Sequence, residues 1–279
     1  MYDRQTGEYF AATPEDTSVK FLYNTIIGRI ILKVIILTFI SKILGWFNGT
    51  KLSRHKIAGF ANNHQIKVAD ISNFNTFNEF FTRKEAFKLN LHEKDMISVA
   101  QSKLSLYNID ENSKFEIKNQ SYDLQQLLQD EQLAYKFQGG TCLIFRLCVD
   151  NYHRYCYFDS GTVDMSKYIK GHLHTVRPIA YERFQPLIEN TRNYSILNTD
   201  NFGLSVFVEV GAIMVGKFTN NNKREFAKAD ERGYFELGGS TVVVLIEKDK
   251  LQLDSDLVPL INTGVEVAVE YGEKIGKAL

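Results

Sequence analysis

The chain has 279 residues, which is enough to bury a sizeable core as one large or two modest domains. Lysine plus arginine equals aspartate plus glutamate at 33 each, so no overall charge attracts the protein to nucleic acid. The 20 phenylalanines and 14 tyrosines, with only 4 prolines, favour packed strands and exclude a largely disordered chain.

The first strong pattern is an apolar tract over residues 26–47. Arg29, Lys33 and Lys42 interrupt it, and its longest charge-free stretch, 34–41, is too short to cross roughly 30 Å of hydrocarbon. The tract is interpreted as an interfacial helix that lies on anionic lipid. A buried helix with exposed lysines and a true membrane span are the alternatives.

The residue pattern then changes from one typical of helices to one typical of strands. A polar cap at Ser72-Asn73 predicts a helix over 74–83. Runs rich in Val, Ile, Phe and Tyr predict strands, with an amphipathic helix over 121–133 among them. The predicted strands are 98–109, 141–149, 205–217 and 241–247. The expected fold class is therefore α+β, with an N-terminal helical, membrane-associating region (1–95) on a mostly antiparallel β core (96–279).

A turn with two glycines, Gly238-Gly239-Ser240-Thr241, precedes the continuous apolar run 242–246. Such a turn is common before a strand, and a plain loop is one interpretation. The same glycines leave the peptide bond before Ser240 unshielded, so that the serine hydroxyl can be pressed against the Gly239 carbonyl.

Attack by Ser240 on that carbonyl would replace the amide with an ester. Elimination across Ser240 would then release residues 1–239, and hydrolysis of the resulting dehydroalanine would leave a pyruvoyl group on residues 240–279. The turn therefore suggests self-cleavage between Gly239 and Ser240.

Five short motifs follow one another along the chain. They are FNEFFTR at 77–83, NYHRY at 151–155 followed by Asp159 and Gly161, NTR at 190–192, VGA at 210–212 with VG at 215–216, and GGST at 238–241. In this order they resemble the motifs of the phosphatidylserine decarboxylases, enzymes in which the serine of the glycine-glycine-serine-threonine turn becomes the pyruvoyl group. The similarity runs from about residue 21 to the C-terminus, and five motifs in order are much stronger evidence than any one alone.

The resemblance implies conversion of phosphatidylserine to phosphatidylethanolamine with loss of CO₂, a step of phospholipid biosynthesis. The self-generated pyruvoyl group would serve as the electron sink, as pyridoxal phosphate does elsewhere. His153 is the candidate proton donor and acceptor, since an imidazole titrates near neutral pH. A core histidine bonded to the backbone is the alternative for His153.

The sequence departs from the family at two positions of the charge relay that activates the serine. Gln101 stands where the family has an aspartate, and Cys156 stands where it has a histidine. Gln101 can hydrogen-bond a neighbour but cannot supply charge, and Cys156 can act as a base only as a thiolate. Either Cys156 activates Ser240, or His153 acts in both steps with help from the strained turn.

Two other functions stay open beside the proenzyme. One is a non-cleaving, decarboxylase-like protein that binds an aminophospholipid; the other is a pyruvoyl-dependent decarboxylase of a different amine. Cleavage at Ser240 separates the first from the enzymes, and dependence on liposomes separates the two enzymes.

The expected partners are phosphatidylserine and an anionic membrane surface, without nucleic acid, and a homo-oligomer stays open. Cys142, Cys148 and Cys156 have no CxxC spacing and follow no secretory signal, which favours a reducing compartment. The expected location is peripheral, on the cytoplasmic face of the cell membrane. No metal is expected, because no cysteine or carboxylate cluster completes a ligand set with His172 and His174.

Overall fold

Helices dominate the first part of the chain and strands the rest, in a computed structural model. It describes residues 1–4, 6–11, 17–66, 68, 70–117, 120–213, 218–221, 223–236 and 240–279, with the backbone alone for 38–42. The sheets are antiparallel, as the α+β prediction requires.

The helices are α1 (Thr17–Asn24), α2 (Ile26–Ile35), α3 (Thr38–Asn48), α4 (Lys56–Asn63), α5 (Phe77–Phe81), α6 (Leu124–Leu128), α7 (Glu131–Tyr135) and α8 (Pro186–Glu189). The strands are β1 (Asp95–Ile97), β2 (Ser102–Asn108), β3 (Lys114–Ile117), β4 (Gln120–Asp123), β5 (Thr141–Leu147), β6 (Arg154–Cys156), β7 (Gly161–Ile169), β8 (Arg192–Thr199), β9 (Gly203–Val210), β10 (Phe218–Asn220), β11 (Glu225–Phe226), β12 (Glu231–Phe235), β13 (Ser240–Ile246), β14 (Leu251–Leu253), β15 (Val267–Val269) and β16 (Lys274–Ala278).

The apolar tract forms two helices, so the prediction of one continuous interfacial helix is wrong in that respect. The break falls between α2 and α3, where Leu37 is extended. In an unbroken helix the carbonyl of Ile36 would accept a bond from four residues further on. Here it accepts one from the N–H of Leu173, at 3.1 Å, so a contact with the core ends the helix.

None of the helices in the described residues is both long enough and apolar enough to span a membrane.

Two other helix predictions are wrong in their limits. The helix predicted over 74–83 is the short α5, and its N-cap is Thr76, whose hydroxyl accepts the N–H of Glu79 at 3.1 Å. The helix predicted over 121–133 is two helices, α6 and α7, separated by Gln129 with a positive φ of 49°. Aspartate caps explain the split, because the side chain of Asp130 accepts the N–H of Leu133 and begins a new helix.

The central sheet places β13 between two long partners. Its strand order in the described chain is β11-β7-β8-β9-β13-β5-β2-β15. Side chains of β13 alternate between two apolar clusters: Val242 and Val244 enter one, and Val243 and Leu245 enter the other. Both faces of this strand are therefore buried, which explains the unbroken apolar run that the sequence shows.

Different elements pack on the two faces of the central sheet. The sheets β10-β12-β6 and β1-β16-β14 contribute side chains to the cluster on one face, and α6, α7 and α8 to the cluster on the other. The N-terminal helices have separate small clusters. One centres on Phe77, Phe80 and Phe81, and another joins Tyr23 and Leu32 to Ile179.

Candidate active site

Ser240 is the first residue of β13 and is fully buried. It lies in register with Leu147, the last residue of β5. Its Oγ makes no hydrogen bond with any described residue. A buried hydroxyl without a partner costs about 1–3 kcal/mol, so a group of this kind requires an explanation, and a catalytic role is one.

Only the second half of the turn Gly238-Gly239-Ser240-Thr241 lies within the described residues. Gly238 and Gly239 lie outside the described residues, as do Val215 and Gly216 of the VG motif. Thr241 is described and buried, and it pairs in register with Val210 of β9. The site can therefore be built from the strand that follows the turn and from the elements that flank it.

His153 is held between the two segments that meet at the turn. After β5, the Asn151 side chain accepts the N–H of Cys148, and the Asn151 carbonyl lies 2.8 Å from Nδ1 of His153. On the other side, the N–H of Phe235 donates to the His153 carbonyl at 3.0 Å. β5 pairs with Ser240, and Phe235 ends the strand that leads into the turn, so His153 is tied to both.

The backbone contact defines the tautomer of His153. A carbonyl oxygen can only accept, so Nδ1 of His153 must carry the hydrogen, and in the neutral ring Nε2 is then the acceptor nitrogen. The imidazole is buried, and the ring of Phe81 lies against it with 4.0 Å between centroids. These contacts are typical of a histidine in a protein core, and they hold the ring in one orientation.

Arg154 joins the NYHRY motif to the FNEFFTR motif. Its guanidinium donates to the carbonyl of Thr82, at 2.6 Å from Nη2, and to that of Arg83. These carbonyls follow the C-terminus of α5, where a cation is favourable. Arg154 also pairs with Glu231 of β12 at 2.9 Å. The two motifs thus act as one structural unit around His153.

Cys156 is a buried, protonated thiol. Burial raises its pKa to about 12, which disfavours the thiolate that a base at this position requires. Its Sγ donates to the Ser98 carbonyl, at 3.9 Å. Its backbone N–H donates to Val99, which ties β6 to the segment before β2.

Gln101 lies beside the His153 loop and is half-buried. Its Oε1 accepts the N–H of Tyr152 at 2.8 Å, and its Nε2 donates to Glu270 at 2.9 Å. Gln101 therefore holds the backbone next to His153 and has a carboxylate on its other side. The structure brings Gln101, Cys156 and His153 to adjoining segments, but none of their side chains hydrogen-bonds the Ser240 hydroxyl.

The NTR motif is structural. Buried Arg192 donates to four carbonyls, two of them in α6 and two beside the end of α8, and burial lowers its pKa to about 10. Asn190 holds both the N–H and the carbonyl of His174. These contacts fasten α6 and α8 to the central sheet.

His174 packs at the junction between the N-terminal helices and the core. Its Nδ1 is 3.5 Å from the Tyr23 hydroxyl, and burial lowers its pKa to about 4. Within the described ranges, no group of three or more histidine, cysteine, aspartate or glutamate residues could hold a metal ion.

Sequence reasoning missed an ion pair beside the site. Arg232 of β12 and Glu209 of β9 are buried, with 2.8 Å between Nε and Oε1. In the sequence, each is a charged residue in a strand, which ordinarily indicates a solvent-facing position. A single charged residue in an otherwise apolar strand, as Glu209 is, was the one available signal.

Comparisons with known proteins give a consistent result. A family model described as phosphatidylserine decarboxylase matches residues 74–277. A protein named phosphatidylserine decarboxylase proenzyme 2, from Clostridium acetobutylicum, is 44% identical over 99% of this chain and 98% of its own length. Phosphatidylserine decarboxylase proenzymes of Clostridium perfringens and Clostridium tetani are 38% and 37% identical, each over 99% of this chain and 98% and 97% of their own lengths. These names give no support to a non-cleaving, lipid-binding protein.

Proposed function

The chain belongs to the phosphatidylserine decarboxylase family, and on that premise we propose that it cleaves itself between Gly239 and Ser240 and then converts phosphatidylserine to phosphatidylethanolamine and CO₂. The buried hydroxyl of Ser240, without a hydrogen bond to any described residue, is the observation that carries this proposal. A hydroxyl that must attack the preceding carbonyl has to be free of competing bonds and shielded from water.

In the first step, Oγ of Ser240 attacks the carbonyl carbon of Gly239 and gives its proton to a base. The C–N bond breaks, an ester forms, and the amine of Ser240 gains a proton. Loss of the α-proton of Ser240 and departure of the Gly239 carboxylate leave dehydroalanine. Water then releases ammonia and leaves a pyruvoyl group at the start of residues 240–279.

The residues around Ser240 fit such a group. β13 is paired with β5 on one side and β9 on the other, so its first position is held rigidly and is buried. A pyruvoyl group there would supply the electron sink for loss of CO₂. The fragment 240–279 also contains β15 and β16, whose pairing with β2 and β1 supports retention of the fragment after cleavage.

We assign proton transfer to His153 in preference to Cys156. Nε2 of His153 is the acceptor nitrogen of the neutral ring, and an imidazole exchanges protons near neutral pH. The thiol of Cys156, with its pKa raised to about 12, is protonated under the same conditions. His153 would take the proton from Ser240 and would later protonate the substrate carbon after CO₂ has left.

Gln101 has a different part in this scheme. The family's aspartate orients an imidazole by charge, whereas Gln101 fixes the loop through the N–H of Tyr152, the residue before His153. Glu270, bonded to Nε2 of Gln101, holds this amide in place. Gln101 is therefore a positioning residue for the His153 loop.

The substrate is a lipid, and the N-terminal helices offer a surface for it. Apolar side chains of α2 and the segments that follow are strongly exposed, among them Ile26, Ile30, Trp46 and Leu52. Lys33 is exposed on α2 as well, which suits an anionic surface. We propose that this face rests on the cytoplasmic leaflet of the cell membrane as a peripheral contact.

The test is the intact mass of the freshly purified protein under denaturing conditions. The expected result is a fragment 1–239 and a fragment 240–279 lighter by one ammonia than a serine-terminated chain. Ser240→Ala should give one full-length chain, and a cleaved Ser240→Ala would remove Ser240 from the mechanism.

Turnover is tested next, with phosphatidylserine in anionic vesicles and CO₂ as the product measured. The cleaved protein should release CO₂ and the Ser240→Ala protein should not. A wild-type chain that stays intact after incubation with the vesicles would contradict the proposal.

A further inference from the structure

The strand that leads into the cleavage turn, β12, carries two adjacent residues of opposite charge with partners on different elements. Glu231 pairs with Arg154 of β6, directly after His153. Arg232 pairs with Glu209 of β9, a neighbour of the strand that begins at Ser240. β12 is thus fastened both to the His153 segment and to the Ser240 sheet.

A local irregularity of the backbone directs Arg232 inward. In the pairing of β12 with β6, Glu231 is opposite Cys156 and Gly233 is opposite Tyr155, so Arg232 is an extra residue on its strand. A bulge of this kind bends the strand and turns a side chain toward a new partner, and bulges occur often beside active sites.

Each nitrogen of the Arg232 guanidinium has a partner in the interior. Besides Glu209, it donates to the Tyr157 hydroxyl at 2.7 Å and to the Ser195 hydroxyl at 2.6 Å. The Glu209 carboxylate accepts further bonds from Asn193 and Asn220. These partners lie on β8, β9 and β10 and, for Tyr157, directly after β6, so the geometry of the pair is determined from several sides.

A buried ion pair is a poor source of stability, because removal of both charges from water offsets their attraction. Apolar side chains of similar volume would hold β12 to the core about as well. The ion pair adds one fixed alignment of β12 against the neighbouring elements. A guanidinium with three directed hydrogen bonds would lose them if β12 shifted along its axis.

We propose that Arg232 and Glu209 are positioning residues for self-cleavage. They hold β12, which ends before the Gly238-Gly239 turn, in a defined place against β9, and β9 holds the start of β13. The pair therefore sets the approach of the Ser240 hydroxyl to the peptide bond that breaks. This inference rests on the proposed function.

The experiment follows cleavage from the newly made precursor, produced by cell-free synthesis and sampled by intact mass. The test variant is the double substitution Glu209→Leu with Arg232→Met, which removes both charges and keeps the volume. Lys223→Gln is the matched control, because Lys223 pairs with Asp230 in the same region at 3.6 Å but is exposed. Melting temperatures are measured in a Ser240→Ala background, so that uncleaved chains are compared.

We expect the double variant to stay folded, with a lower melting temperature because the buried Tyr157 and Ser195 hydroxyls lose a partner. It should cleave about tenfold to a hundredfold more slowly, since small misplacements of reacting atoms cost this much. Lys223→Gln should cleave at the wild-type rate. Hydroxylamine splits esters and not amides; it should release little fragment from the double variant, because the ester itself fails to form.

Three results would overturn the proposal: a folded double variant that cleaves at the wild-type rate, rapid cleavage on addition of hydroxylamine, or an equal slowing in Lys223→Gln. If the double variant does not fold, the single substitution Arg232→Lys tests the proposal instead. Lysine keeps the charge but cannot reach both hydroxyls, so slow cleavage in a folded chain supports the proposal and wild-type cleavage refutes it. An intact wild-type chain, by contrast, would refute the proposed function.

Discussion

The ring of Phe81 lies against the imidazole of His153, with 4.0 Å between centroids and 38° between the ring planes. Phe81 ends α5, and α5 packs with α4 through Ile57 and Ala61. A residue of the N-terminal helical part therefore helps to set the orientation of the group to which we assign proton transfer.

Phe81→Leu should slow phosphatidylserine turnover about tenfold per cleaved chain. Leucine fills most of the volume but has no flat face, so the imidazole can leave its catalytic orientation. Turnover is measured as CO₂ released, divided by the amount of fragment 240–279 found by mass. Phe74→Leu is the control, since Phe74 packs edge-on against Phe80 in the same aromatic cluster. An equal loss in both variants would indicate a general packing defect.

Cys156→Ala should self-cleave at a rate within about twofold of the wild type. A thiol whose pKa is raised to about 12 is almost entirely protonated at pH 7 to 8, so its loss removes no base. His153→Gln should slow cleavage by about a hundredfold or more. Cleavage of both newly made chains is followed by intact mass at 25 °C. A tenfold slowing in folded Cys156→Ala would instead identify the thiol as the base.

The protein should lose stability as the pH falls from about 6.5 to about 4, in part through His174. Burial lowers the pKa of His174 from 6.5 to about 4, so the unfolded chain binds this proton at a higher pH than the folded chain does. The stabilising contribution is present above pH 6.5 and is lost through this window, by up to about 2 kcal/mol.

His174→Phe is the matched variant for this prediction, because it keeps a ring against Phe184 and cannot titrate. Free energies of unfolding are measured by denaturant at pH 7 and pH 4.5 in a Ser240→Ala background. The wild-type side chain should lose more stability than phenylalanine between these pH values. A constant difference between the two proteins would contradict the assignment.

The double substitution Ile26→Ser with Ile30→Ser should weaken binding to anionic vesicles by at least about tenfold. The two side chains are 71% and 62% exposed, and burial of each in a lipid interface is worth about 1–3 kcal/mol. Binding is measured by co-sedimentation with vesicles that contain phosphatidylglycerol. Tyr135→Ser is the control, as Tyr135 is 68% exposed but lies in α7, on the β core. An unchanged affinity in the isoleucine variant would mean that this face does not touch the membrane.

Several features could be predicted because they depend on neighbours along the chain. The alternation of β-rich runs and turns predicted β5 and β13 almost to their limits. The predicted limits of a helix were wrong where a contact with a distant residue ends the helix, as at Ile36, whose carbonyl accepts the N–H of Leu173. The predicted limits were also wrong where the N-cap residue was not identified from the sequence, as at Thr76 and Asp130.

For the candidate site, the ordered motifs identified the family and pointed to Ser240, His153, Cys156 and Gln101. The motifs could not show which of His153, Cys156 and Gln101 acts as the base, because the pKa of a thiol and the tautomer of an imidazole depend on burial and on hydrogen bonds. Cys156 and His153 stand close together in the sequence, yet one is a buried thiol with a raised pKa and the other has its Nδ1 hydrogen held by a carbonyl.

By itself, then, the sequence determined the family and the α+β class and pointed to Ser240, since motifs and periodicity are local properties of the chain. Only the tertiary structure decided which groups surround that serine. Phe81 meets His153, and Glu209 meets Arg232, across long separations in sequence. Such contacts arise when the sheets and the helices pack, and no pattern of neighbouring residues specifies them.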